Sequence, residues 1–171
     1  HEVLHYLVPI LSFIIGVLVS KAIETKYKEL SIFTHIYMLL IVQICALLLI
    51  IFKHSFFGVD VRPIVISFIC AIQFDGFRKV NNLVFASVFC TGNLRSMSEH
   101  LYKYVILKKK ESKIPLFIYS SVIGVFLSGV LLGAAMSKFF LNEAILVPLF
   151  IICINLLFVV AIHNKFASKK L

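Results

Sequence analysis

The 171-residue chain is 61% hydrophobic and 15% charged, with a mean hydropathy of +1.03. A soluble domain carries roughly 45–50% apolar and about 25% charged residues, so an ordinary water-soluble globule is excluded and a polytopic membrane protein is expected. The net charge of +9 sits in short connections between apolar runs rather than in a patch with interleaved aromatics, which argues against nucleic acid as a partner.

The chain opens on HEVLH. On one helix face, His1 and His5 could ligate zinc with Glu2 as general base, the pattern of an intramembrane metalloprotease. Zinc needs a third protein ligand, and none follows at a recognisable spacing. The stretch therefore reads as a polar helix entrance, and neither a metal site, a cofactor nor an enzymatic activity is expected. Cys45, Cys70, Cys90 and Cys153 stand singly in apolar segments and read as buried thiols.

Runs free of Asp, Glu, Lys and Arg cover 3–20, 30–52, 63–74, 80–94, 114–137 and 144–164. A crossing helix needs about 20 apolar residues; the runs 3–20, 30–52, 114–137 and 144–164 qualify. Connections 21–29 and 103–113 and the tail hold eleven Lys, whereas the alternate connections hold Lys53, Arg62 and Lys138. This positive-inside bias places the 165–171 tail in the cytoplasm and His1 on the opposite side, provided that 63–103 crosses an odd number of times. With no initial Met and no preceding helix, the start reads as a cut edge.

Two segments echo each other: SFIIGVLVSK at 12–21 and GVLLGAAMSK at 129–138. Ser12, Gly16 and Ser20, like Gly129, Gly133 and Ser137, form small-residue faces on which neighbouring backbones can approach closely. The charge pattern runs the two helices in opposite directions, the mark of an inverted repeat. The expected organisation is one transmembrane domain over 1–171, with an incomplete first repeat at 1–60 and a second at 63–164. The counterpart of 63–107 would precede residue 1.

The segment 63–107 cannot be one straight helix, since it would span about 67 Å against a hydrocarbon core of about 30 Å. In one reading a helix enters near Pro63 and ends around Asp75; an irregular segment follows, and a second helix starts at Thr91-Gly92, capped by Thr91. In the other, a crossing at 63–80 is followed by interfacial helices. Gln73, Asp75, Arg78, Asn81, Asn82, Thr91, Gly92, Asn93 and Arg95 are the candidate substrate-binding residues, because ionisable groups at membrane depth mark pathways and a helix start at Gly92 offers N–H groups to an anion. Asp75 and Arg78, three apart, are placed to pair. Arg95, Glu99 and Lys103 form a surface ion ladder, His35 and His163 read as structural or interfacial, and Gln43 and Asn155 as interhelical hydrogen-bonders outside the site.

The stretch AIQFDGFRKVNNLVFASVFCTGNLRSMSEHLY, residues 71–102, resembles the second-half signature of the YoaK-type family of bacterial membrane proteins. The resemblance rests on Gln73, on Arg78 five residues later, and on Thr91-Gly92-Asn93. It implies about six spans in the family, a related Thr-Gly-Asn segment early in the chain that has no counterpart here, and a supposed transport role. Asp75 departs from it, standing where an uncharged residue is expected. The combined expectation is an all-α polytopic bundle with about five crossings and one broken or re-entrant segment. It would act in the bacterial inner membrane as a secondary transporter or permease for a small, anionic solute. The alternative is a non-transporting assembly protein, with a homo-oligomer as a partner in either case.

Overall fold

The computed structural model describes residues 2–27, 32–52, 55–56, 59–77, 79–80, 83–84 and 88–167. In chain order the elements are α1 (Glu2–Tyr27), α2 (Ile32–Phe52), the two-residue strands β1 (Ser55–Phe56) and β2 (Val59–Asp60), α3 (Arg62–Gly76), the strands β3 (Lys79–Val80) and β4 (Leu83–Val84), α4 (Cys90–Val105), α5 (Lys113–Phe140) and α6 (Leu146–Ala167). Each strand pair is a minimal antiparallel hairpin. Among the described residues, four helical stretches are long and apolar enough to cross a membrane: Tyr6–Tyr27, Phe33–Phe52, Lys110–Phe140 and Glu143–Lys165. The architecture is an all-α polytopic bundle. It divides into two compact units, His1–Gly76 with Asn142–Leu171, and Phe77–Leu141.

The first unit is built on the approach of α1 to α3. A Cβ added at Gly16 would lie 2.7 Å from both the Ala71 Cβ and the Phe68 carbonyl oxygen, so only glycine fits. One turn earlier, the Ser12 hydroxyl donates to the Ile64 carbonyl at 2.8 Å. From the facing helix, the Ser67 hydroxyl donates to the carbonyl of Pro9 at 2.7 Å. One turn later, Ser20 is 1% exposed. From Ser12 beside Ile64, through Gly16 beside Phe68 and Ala71, to Lys21 beside Asp75, the contacts advance along both helices in the same direction, so α1 and α3 are parallel. In a bilayer, lipid is as apolar as leucine, and such close backbone approach with hydroxyl bonds supplies the cohesion that burial supplies in water.

Helix α2 runs against this pair: the Leu39 side chain abuts Gly76 at the end of α3, and Leu39, Gln43, Leu47 and Ile50 form its buried stripe. Helix α6 packs on α2 in turn. The His163 ring stacks on Phe33 at 4.7 Å between centroids, and its Nδ1 lies 2.9 Å from the Tyr37 hydroxyl. The ends of α1, α3 and α6 and the start of α2 thus share one end of the unit. His163 and Tyr37 form a polar clamp between helices there.

The second unit shows how 77–107 breaks. Helix α3 has 15 residues, about 22 Å at 1.5 Å per residue, and ends at Gly76 after the conformationally free Asp-Gly step. In the second unit, Val84 is fixed to α5, since the Tyr119 hydroxyl donates to its carbonyl at 2.9 Å. Helix α4 packs antiparallel to α5, with His100 stacked on Tyr119 at 5.8 Å. Val84 therefore lies at the level of His100, ten residues into α4 and near the N-terminal end of α5. The chain reaches the far end of α4 at Cys90 and returns along α4 to the start of α5. The described part of 63–107 is thus helix α3, the β3–β4 pairing and helix α4. One detail is corrected: α4 begins at Cys90 with Phe89 at its N-cap and no side-chain cap hydrogen bond, so Thr91 lies inside the first turn and does not cap it.

The two small-residue faces, alike in sequence, differ in surroundings. Among the described residues, a Cβ at Gly129 or Gly133 would meet nothing within 4 Å, and Ser137 is exposed. The reason is length: α4 has 16 residues and α5 has 28, so with His100 opposite Tyr119 α4 runs out near the level of Gly129. Gly16→Leu is therefore expected to lower the unfolding midpoint of the detergent-solubilised chain, through overpacking of about 1–3 kcal/mol. Gly129→Leu is expected to leave it within about 0.5 kcal/mol of the original. Equal effects of the two would contradict the α1–α3 packing.

Candidate functional site

Of the candidate binding residues, Gln73 and Asp75 lie near the end of α3 in the first unit. Thr91, Gly92, Asn93 and Arg95 lie in the first turns of α4 in the second. Arg78, Asn81 and Asn82 fall outside the described residues, as does His1; the side chains of Glu2 and His5 are likewise not described. On α4, Thr91, Gly92 and Arg95 are exposed. Asn93 is 3% exposed, and its Nδ2 donates to the Phe89 carbonyl at 3.1 Å. This bond ties the side chain back to the start of its own helix. The N–H groups of the first turn keep no side-chain acceptor at the cap position, so the positive end of the helix dipole is open.

Asp75 pairs with a residue that the sequence reading assigned to topology alone. Its Oδ1 lies 3.1 Å from Lys21 Nζ, with the Asp75 side chain only 6% exposed and that of Lys21 53% exposed. Lys21 also reaches Glu24 Oε2 at 2.8 Å. The expected Asp75–Arg78 pairing lies outside the described residues, as Arg78 does; parallel packing of α1 on α3 sets residue 21 beside residue 75. The signal was available. No Gly or Pro interrupts KAIETKY after Ser20, so α1 continues to Tyr27 and holds Lys21 inside a helix, next to the small-residue face.

Around this pair the first unit buries polar groups from three helices. Ser20 on α1 and Gln43 on α2 are each 1% exposed. Ser20 Oγ, Gln43 Nε2 and Asp75 Oδ2 are all buried with no hydrogen-bond partner among the described residues. Ser20 precedes Lys21, and Gln43 follows by one turn the Leu39 that abuts Gly76, so the three atoms belong to one level of the unit, within about a turn of each other. Gln43, expected to bond between helices, has an amide nitrogen with no acceptor among the described residues. Orphaned buried polar atoms cost about 1–3 kcal/mol each, and donors (Gln43, Ser20) and an acceptor (Asp75) gathered in one layer form a polar interior in an otherwise apolar trio. In the second unit, His100 Nδ1 is similarly buried and unpartnered beneath the Tyr119 ring. Among the described residues, no group of three or more His, Cys, Asp and Glu could hold a metal ion.

Lys21→Met is expected to destabilise the chain by about 1–3 kcal/mol, toward the low end because the lysine is half exposed, since it strands a buried carboxylate. Lys21→Met/Asp75→Asn should recover part of that loss in thermal unfolding. Additive losses in the double variant would mean that the two side chains do not interact.

Residues 1–160 match the family described as "Protein of unknown function (DUF1275)", and the chain belongs to that family. No curated protein and no solved structure matches it.

Proposed function

We propose that this DUF1275 member is a secondary transporter or permease for a small anionic solute, without enzymatic activity. The observation that carries the reading is the polar layer of the first unit. There the buried Asp75 carboxylate is held by Lys21 on a membrane-length helix, with Ser20 Oγ, Gln43 Nε2 and Asp75 Oδ2 left over. Ionisable and polar groups at membrane depth are costly, and they face pathways where they persist. The interruption of the chain between α3 and α4 fits the same reading, since broken helices supply transporter sites with unpaired backbone groups. The uncapped start of α4 with Arg95 one turn on favours an anion.

The likeness of residues 71–102 to the YoaK-type pattern supports bacterial origin and an inner-membrane location. The lysine distribution supports a cytoplasmic C-terminus: Lys21, Lys26 and Lys165 lie toward the same end of the first unit, as the positive-inside rule requires for the cytoplasmic side. A second reading, that of an assembly protein joined to a further copy, draws on the bare Gly129–Gly133–Ser137 face of α5.

Transport is tested by screening the full-length protein for ligand-dependent rises in unfolding temperature across small anions and metabolites, then following the hits into proteoliposomes. A stabilising anion should enter vesicles carrying the wild-type chain, and entry should fall at least about tenfold with Asp75→Asn. Flux that is indifferent to Asp75→Asn would defeat this assignment of the site. Absence of flux together with a loss of self-association in Gly129→Leu would favour the assembly reading.

A further inference from the structure

Within the second unit, the densest run of like charge is the turn that joins α4 to α5. Lys103, Lys108, Lys109, Lys110 and Lys113 fall within this short stretch, against Glu111 as the acid of the turn. Lys103 is engaged by Glu99 at 2.6 Å. Lys108, Lys109, Lys110 and Lys113 are exposed, and among the described residues no carboxylate lies within ion-pair distance of them.

The turn has a defined backbone. The Ile106 and Leu107 N–H groups both donate to the Tyr102 carbonyl, Lys109 N–H donates to Lys103, and Ser112 N–H donates to Lys109 at 3.0 Å; Ser112 is buried at the start of α5. Lys108 adopts a left-handed φ of 52°, a conformation that glycine takes freely and a side chain takes under strain. A lysine stands there nonetheless, the first of three in a row.

The membrane-length stretch Lys110–Phe140 begins in this turn, so a bilayer crossed by that stretch would have these lysines at its boundary with water. Tyr102, Tyr104, Val105, Ile106 and Leu107 beside them are exposed. Amphipathic rings flanked by aliphatic side chains suit the headgroup level of a bilayer. A soluble polyanion would meet the same lysines but would leave those apolar side chains in water. We propose that the α4–α5 turn is a binding site for acidic phospholipid headgroups, with Lys108, Lys109, Lys110 and Lys113 as the phosphate-binding cations and the Tyr102–Leu107 segment seated among the acyl-chain ends. The site stands apart from the transport reading and does not depend on it.

The test is the unfolding midpoint of the full-length chain in neutral detergent micelles titrated with phosphatidylglycerol, with phosphatidylcholine and inorganic phosphate as parallel arms. Phosphatidylglycerol should raise the midpoint saturably, and more weakly as sodium chloride is raised; the other two should not. Lys108→Gln/Lys109→Gln/Lys110→Gln should weaken the apparent phosphatidylglycerol affinity by at least about tenfold. Lys109→Gln/Lys113→Gln, which leaves the strained position untouched, should weaken it in the same direction and serves if the triple variant does not fold. Lys165→Gln should leave it unchanged. An equal response to phosphatidylcholine or to inorganic phosphate overturns the proposal, as does a wild-type response in the lysine-turn variants.

Discussion

A peptide group that enters hydrocarbon without its hydrogen bond has no water to turn to, and each one left open costs several kcal/mol. That constraint organises the described chain. It makes every long apolar run a helix, since a helix satisfies its own backbone. It makes the place where a helix stops the most informative point in the molecule. Helix α3 stops at Gly76 after 15 residues, and helical pairing resumes only at Cys90. Between them the described backbone pairs in a two-residue hairpin, with the Val84 carbonyl taken up by the Tyr119 hydroxyl. A side chain of the next spanning helix thus supplies a bond that the local chain does not.

The same solvent removes the ordinary driving force for helix association. In the first unit, cohesion rests on fit: the glycine gap at residue 16, two serine hydroxyls bonded to carbonyls of the facing helix, and one ion pair at the far end of the contact. The sequence repeats the small-residue pattern on α5, yet there it is bare. Small residues permit a close approach, and they do not create one unless a helix of sufficient length lies alongside. Helix α4, which returns after 16 residues, covers only the first part of α5.

Polar side chains in the interior have a different logic from those in the turns. Lys108 to Lys110 sit at the surface, where charge is cheap, and their arrangement suits the anionic side of a bilayer. Asp75 sits where charge is costly. Its lysine partner lowers that cost, but among the described residues one carboxylate oxygen, one serine hydroxyl and one glutamine amide remain without partners at the same level of the unit.

Composition and apolar run length were sufficient to establish a membrane bundle, its four long helices and the break in 63–107, because each depends only on local hydrophobicity, on helix rise and on the hydrocarbon thickness. Gly16 was likewise legible as a contact point, since a stripe at four-residue spacing is a property of one helix. Other features depended on partners distant in the chain. That Asp75 meets Lys21 follows from the parallel register of α1 on α3, which periodicity in either helix does not contain. That, among the described residues, Gly16 is covered and Gly129 bare, that Gln43 faces no acceptor, and that His100 lies on Tyr119 are likewise consequences of which helix runs beside which and how far. A one-dimensional pattern records what each surface can accept; only packing in three dimensions decides what it meets.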